Sequence, residues 1–193
     1  MRLEILNSGF GVGAKVVFAV ARLASGYPIP DAARLGFHRP DFYGAHSKAF
    51  THEVMRGPST WSVGDRELMA AYVSTLNECP FCIGAHTATA TRAYRDEPKV
   101  RAALSNLETA PIEEPLRATL RMLGKLTREQ AIGVEDMLDV LAAEVSPEQI
   151  HDALAVCLAF NTTTRLANAF EFELLSPQGF DAGAKYLLSR GYR

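Results

Sequence analysis

Cysteine is scarce in this chain. Among 193 residues there are three cysteines and one tryptophan. A secreted scaffold stapled by disulfides is short and cysteine-dense, so that class is excluded. Neither sign of charge is in excess: 20 Lys and Arg against 22 Asp and Glu leave a net charge of −2. Without a basic surplus, no nucleic-acid partner is expected. Long apolar runs are missing too. Stretches free of Asp, Glu, Lys and Arg fall well short of the roughly 18 apolar residues of a membrane span, and no membrane partner is expected. No long run alternates apolar with polar residues, so no strand stands out.

What remains is ordinary for a soluble globular protein, 48% hydrophobic and 22% charged. A chain of this length buries roughly 70% of its unfolded surface. Near the N-terminus the apolar patch Val16 to Ala21 is interrupted at Lys15, and Glu4 stands where a basic leader would begin. No signal peptide is read there, and the reducing cytoplasm is the expected compartment. In that compartment cysteines serve catalysis, metal binding or packing more often than stapling.

The sequence reads as helices throughout, predicting a single all-α domain over 1–193. Helices are expected over 11–25, 41–55, 62–76, 80–95, 98–106, 114–126, 134–144 and 163–174, with a short turn of helix over 31–38, one helix starting at Ser146 and a short tail helix over 181–189. Proline and glycine supply the punctuation, at Pro28, Pro30, Gly57-Pro58, Pro80 and Pro98. Ser62-x-x-Asp65 resembles a capping box, and Ser146-Pro147 pairs an N-cap with a first-turn proline. A shift of 84 lays Ser62 on Ser146, Ala71 on Ala155, Asn77 on Asn161 and Ala85 on Ala169. This predicts a second helical hairpin broken at Asn161, with Thr163, Leu166 and Phe170 where the first has Cys79, Cys82 and His86.

Chemistry concentrates in Cys79-Pro80-Phe81-Cys82-Ile83-Gly84-Ala85-His86. Intervals of three and four residues bring neighbours onto one helical face. A thiol at a helix start meets unpaired N–H groups and the positive end of the dipole, which favour thiolate. His86, one turn past Cys82, is placed to take or relay a proton. Two other readings stay open on spacing alone. One is a half zinc site with His86 as third ligand and Glu67, His46 or His52 as fourth, although no second Cys pair completes it. The other is a pair of structural thiols. Cys157 sits in a core-helix pattern and reads as packing. His38, His46, His52 and His151 have no partner at a diagnostic spacing; His52 is placed to approach the site from the 41–55 helix, but reads as a surface or interface residue. Trp61 reads as core or subunit contact. Gly9-Phe10-Gly11-Val12-Gly13 follows no strand, so it is not read as a dinucleotide site.

The run Gly57-Pro58-Ser59, Arg66-Glu67 and Leu76-Asn77-x-Cys79-x-x-Cys82-x-x-x-His86 resembles the AhpD-like alkylhydroperoxidases of the carboxymuconolactone decarboxylase superfamily. Their hallmark is a Glu, eleven intervening residues, then C-x-x-C-x-x-x-H, which Glu67, Cys79, Cys82 and His86 match. The likeness covers residues 40–175 and leaves 1–35 as an extension. It is greatest to the peroxidase-related members, which often carry an aromatic residue between the cysteines. The best-studied pattern has a second histidine where this chain has Phe81.

The resemblance implies a cofactor-free, metal-free peroxidase that consumes a hydroperoxide and an external thiol reductant. It implies that Cys82 attacks the peroxide, that Cys79, expected to be the more exposed, resolves it as a Cys79–Cys82 disulfide, and that Glu67 and His86 relay protons. It also implies a homo-oligomer, with the extension as a candidate interface arm. A thiol–disulfide oxidoreductase or redox sensor, and a metal-binding or structural helical module, are the alternatives. The decarboxylase branch generally lacks the cysteine pair.

Overall fold

The computed structural model describes residues 4–192, except the side chain of Phe42. Among the described residues ten α-helices run in the order α1 (Val12–Ser25), α2 (Asp31–His38), α3 (Ala45–Arg56), α4 (Val63–Leu76), α5 (Pro80–Tyr94), α6 (Glu97–Ser105), α7 (Glu114–Glu129), α8 (Val134–Ala142), α9 (Pro147–Ala169) and α10 (Pro177–Arg190). A 3-10 turn at Glu4–Leu6 precedes them, and a π-helical turn at Pro40–Gly44 leads into α3. No strand occurs among the described residues.

The caps form as the sequence suggests. Ser62 Oγ accepts from Asp65 N at 3.1 Å, while Asp65 Oδ2 accepts from Ser62 N at 2.9 Å. Ser146 and Gln149 repeat this reciprocal pair at the start of α9. Ser176 caps α10 ahead of Pro177, so the tail helix is longer than expected.

α4 is the central element. Leu68 through Ser74 are all buried, as are Arg66 and Glu67, so no amphipathic stripe marks this helix. A helix buried on every side reads apolar all round. It packs against α5, α9, α7, α3 and α6. The larger cluster gathers Leu68, Met69 and Val73 of α4 with Leu120 and Leu123 of α7 and Val156 and Phe160 of α9. Trp61 and Cys157 lie in it, and Trp61 Nε1 donates to Gln149 O at 2.9 Å. A smaller cluster joins Cys79, Phe81 and Cys82 to Leu6, Leu35, Ala167 and Phe172. The N-terminal extension therefore packs over the cysteine pair.

The expected break at Asn161 does not occur. α9 runs unbroken for 23 residues, through both the Asn161 position and the start expected at 163. In the first copy, Pro80 lies three residues after Asn77; Pro cannot continue a helix and drives the preceding residue out of it. The second copy has Thr164 there, which stays helical and donates to Phe160 O at 2.6 Å. The two aligned asparagines meet instead: Asn77 Nδ2 donates to Asn161 Oδ1 at 3.0 Å.

Candidate active site

The site forms where α3, α4, α5 and the chain's end converge. α4 closes at Asn77, and Glu78 adopts φ 49°, turning the chain so that Cys79 N donates to Ser74 O at 3.1 Å. Cys79 thus becomes the N-cap residue of α5, with Pro80 in its first turn. Here the first-turn amides have no intrahelical acceptor.

Both thiols are unbridged, and each is only 1% exposed. This corrects the expectation that Cys79 is the open one: Leu6, Leu35 and Phe172 close over it. The two sulfurs have opposite acidities. A hydrogen bond from the Cys82 thiol, with the backbone N–H groups of Cys82 and Phe81, brings Cys79 down to about 7 against the opposing effect of burial. That same donation, together with burial and the neighbouring charge, pushes Cys82 far up. Of the two sulfurs, Cys79 is the more readily ionised, and a proton shared between them favours Cys82.

Glu67 is fully buried and uses both oxygens. Oε2 meets His86 Nδ1 at 2.7 Å. Oε1 accepts from Arg56 Nη2 at 2.6 Å and from the Tyr192 hydroxyl at 2.9 Å. Burial alone would raise its pKa, but the hydrogen bond and charge of His86 and the Arg56 guanidinium more than offset this and hold it below the usual range. As an ionised carboxylate can only accept, Nδ1 of His86 carries the hydrogen. Nε2 is then the nitrogen for proton exchange. The imidazole stands edge-on to Phe160, with centroids 4.3 Å apart.

Arg56 and Tyr192 were not read from the sequence. Arg56 donates to Leu187 O from Nε at 3.3 Å and from Nη2 at 3.2 Å, and its guanidinium lies 5.1 Å over the Tyr192 ring. It thereby ties the C-terminal turn of α10 to the buried carboxylate. Gly191, at φ 69°, reverses the chain after α10, and Tyr192 N donates to His52 Nδ1 at 3.2 Å. A Cβ on Gly191 would stand 2.5 Å from the His52 ring. His52 is thus a half-buried support beside the site rather than a surface group. Arg56 just before Gly57-Pro58 was the available signal; nothing local marks Tyr192, which arrives from 125 residues beyond Glu67.

Phe81 packs on Phe172 at 5.3 Å and Phe180 at 6.1 Å, so an aromatic wall fills the position where the AhpD-like pattern has a second histidine. Among the described residues no three His, Cys, Asp or Glu side chains converge to hold a metal ion. Of the residues of the half zinc site, Glu67 has both oxygens committed to His86, Arg56 and Tyr192. Cys157 is buried in the larger cluster near Thr127 and Asn161. No described helix is long and apolar enough to cross a membrane.

Comparison with known proteins places this geometry. No curated protein matches the chain. A peroxidase-related protein from Silicibacter sp. TM1040 has a similar structure, with a TM-score of 0.79 at 22% identity over 92% of this chain and 93% of that one. An alkylhydroperoxidase AhpD core protein, also peroxidase-related, from Ralstonia eutropha JMP134 gives 0.76 at 18% identity over 95% of each. The debrominase Bmp8 in complex with 2,3,4-tribromopyrrole gives 0.70 at 16% identity over 86% of this chain and 88% of that one. The fold is AhpD-like. Residues 43–123, which carry α3 to α5 and the whole C-x-x-C-x-x-x-H run, match the model of the carboxymuconolactone decarboxylase family.

Proposed function

We propose that the protein is a cysteine-dependent peroxidase that reduces hydroperoxides with an external thiol. The observation that carries this is a buried dithiol with one acidified sulfur, one helical turn from a carboxylate-held imidazole. Cys82 attacks the terminal peroxide oxygen and its proton passes to the Cys79 thiolate. The O–O bond breaks, Cys82 becomes a sulfenic acid, and the alkoxide takes a proton through His86. Cys79 gives up its proton, attacks the sulfenic sulfur and releases water, leaving the Cys79–Cys82 disulfide. In sum, hydroperoxide plus dithiol gives alcohol, water and disulfide. An external dithiol restores the pair, so oxidant and reductant are both substrates and no resident cofactor is required.

Burial of both sulfurs disfavours exchange with protein disulfides, which need an exposed thiol, and favours small substrates. A second reading, reductive dehalogenation of an aromatic ring, draws support from the aromatic wall of Phe81, Phe172 and Phe180. There the dithiol would supply two electrons, giving the dehalogenated ring, halide and disulfide.

Cumene hydroperoxide consumption with dithiothreitol tests the first reading, and halide release from a bromopyrrole the second. Cys82→Ser is expected to abolish peroxide turnover, whereas Cys79→Ser still forms a dimedone-trapped sulfenic acid at Cys82. Full turnover in Cys82→Ser would sink the peroxidase; an adduct found only on Cys79, in Cys82→Ser, would exchange the two roles.

A further inference from the structure

Two helices carry their most apolar face outward. On α1, Val12, Val16, Val20 and Leu23 recur at helical spacing, and the outermost two are 80% and 88% exposed. The helix rests on its own chain by the opposite side, where Phe18 packs edge-on to Phe37 at 5.2 Å. On α8, Val134, Leu138 and Leu141 form a second outward stripe, with Val134 76% exposed. α8 rests on its own chain through Val140 and Met137 in the larger cluster. Isolated surface aliphatics need no explanation, but a continuous stripe on each of two helices marks an interaction face.

The charges beside the stripes differ in sign. α1 carries only cations, Lys15 and Arg22, both exposed and on the same edge of its stripe. α8 carries only carboxylates, with exposed Glu135 and Asp139 on one edge of its stripe. Helical periodicity fixes which edges meet. With a spacing of 3.6 residues, the cationic edge of α1 lies about 90° to one side of its stripe, and the acidic edge of α8 about 90° or slightly more to the other. Laid parallel and face to face, the two helices bring these edges together. Two α1 helices laid antiparallel across a two-fold axis would instead align all four cations on one seam, which disfavours self-pairing.

We propose that α1 of one copy docks along α8 of a second copy of this chain, in a heterologous contact. Because donor and acceptor surfaces are different patches, the contact repeats and closes into a ring where the rotation permits. Cations on an apolar helix also suit an anionic membrane surface, but two cations without a wider basic patch make a weak case, and the acidic stripe of α8 has no role there.

Sedimentation velocity of the full chain reads the outcome. Wild type is expected to sediment as an assembly that dissociates in Val16→Asp and in Leu138→Asp, with the far-ultraviolet circular dichroism at room temperature unchanged because both sites are exposed in the single chain. Lys15→Glu with Arg22→Glu, and separately Glu135→Lys with Asp139→Lys, are each expected to weaken association at least tenfold, and mixing these two variants to restore it. A monomeric wild type at high micromolar concentration would overturn the proposal. So would an assembly insensitive to Leu138→Asp, failure of the mixed variants to reassociate, or α1-dependent binding to anionic vesicles in place of self-association.

Discussion

Glu67 shows how far a single residue can be read from spacing. Its distance to the cysteines matches a known pattern, but its chemistry comes from three partners that no spacing rule connects. Arg56, Tyr192 and His86 supply all its hydrogen bonds. Removing one partner of a buried charge leaves the other unpaired, at about 3–5 kcal/mol. Arg56→Met is therefore expected to lose about 3 kcal/mol in urea unfolding. The pH dependence gives a sharper test. Glu67 has a depressed folded pKa, so it contributes stability above its unfolded value of about 4.3 that is lost as pH falls through the folded value. In Arg56→Met that acid limb flattens, because the carboxyl protonates nearer neutrality. Tyr192→Phe keeps the ring over Arg56 and deletes the hydroxyl's contacts with Glu67 and His86, so a loss of about 1–2 kcal/mol is expected, with a larger proportional fall in kcat than in stability. Cys79 gives a further residue-scale prediction. With its pKa brought to about 7, iodoacetamide labelling should rise tenfold per pH unit below neutrality and level off above it. A midpoint near 9 would refute the role assigned to the α5 amides and the Cys82 thiol.

At the scale of elements, breakers and caps were the legible part. Ser62, Pro80, Ser146 and Pro147 start the helices they were expected to start, because each acts on backbone groups within one turn. α7 was legible from Leu116, Leu120 and Leu123, all buried on one face. Asn161 was misread, because asparagine alone does not end a helix. Its side chain, committed to Asn77, Thr127 and Cys157, supports the helix crossing instead. What separates the α4–α5 corner from the unbroken α9 is one proline. Thr164→Pro, at the position that aligns with Pro80, should cost about 3 kcal/mol or more. Thr164→Ala should cost far less, since it removes only a hydroxyl bonded to Phe160 O. Equal losses in chemical denaturation would show that the buried hydroxyl, not backbone continuity, sustains the helix here.

Across the whole molecule, stability and access to the thiols belong to different places. The larger cluster holds α4, α7 and α9 together and contains the fully buried Leu120, Leu123 and Phe160. The smaller one covers Cys79 and Cys82 with side chains brought from both ends of the sequence, Leu6 and Leu35 from one and Phe172 from the other. None of these covering residues could be foreseen from the motif, since their contacts depend on how the termini wrap the helical centre. The main chain near Leu6 is tied down by Arg34 Nη1, which donates to Leu6 O at 3.3 Å. Elements with few such ties open well below the free energy of global unfolding. Leu123→Ala should therefore cost about 2–5 kcal/mol in global stability, while leaving thiol labelling below the unfolding transition slow. Leu6→Ser should do the reverse: a small loss in the melt, and faster labelling of Cys79 at every pH with its midpoint near 7 unchanged. Paired measurements of denaturant midpoint and iodoacetamide rate separate the two. If Leu6→Ser lowered the midpoint as much as Leu123→Ala, or left labelling at the wild-type rate, the N-terminal turn would be part of the core rather than the cover of the dithiol.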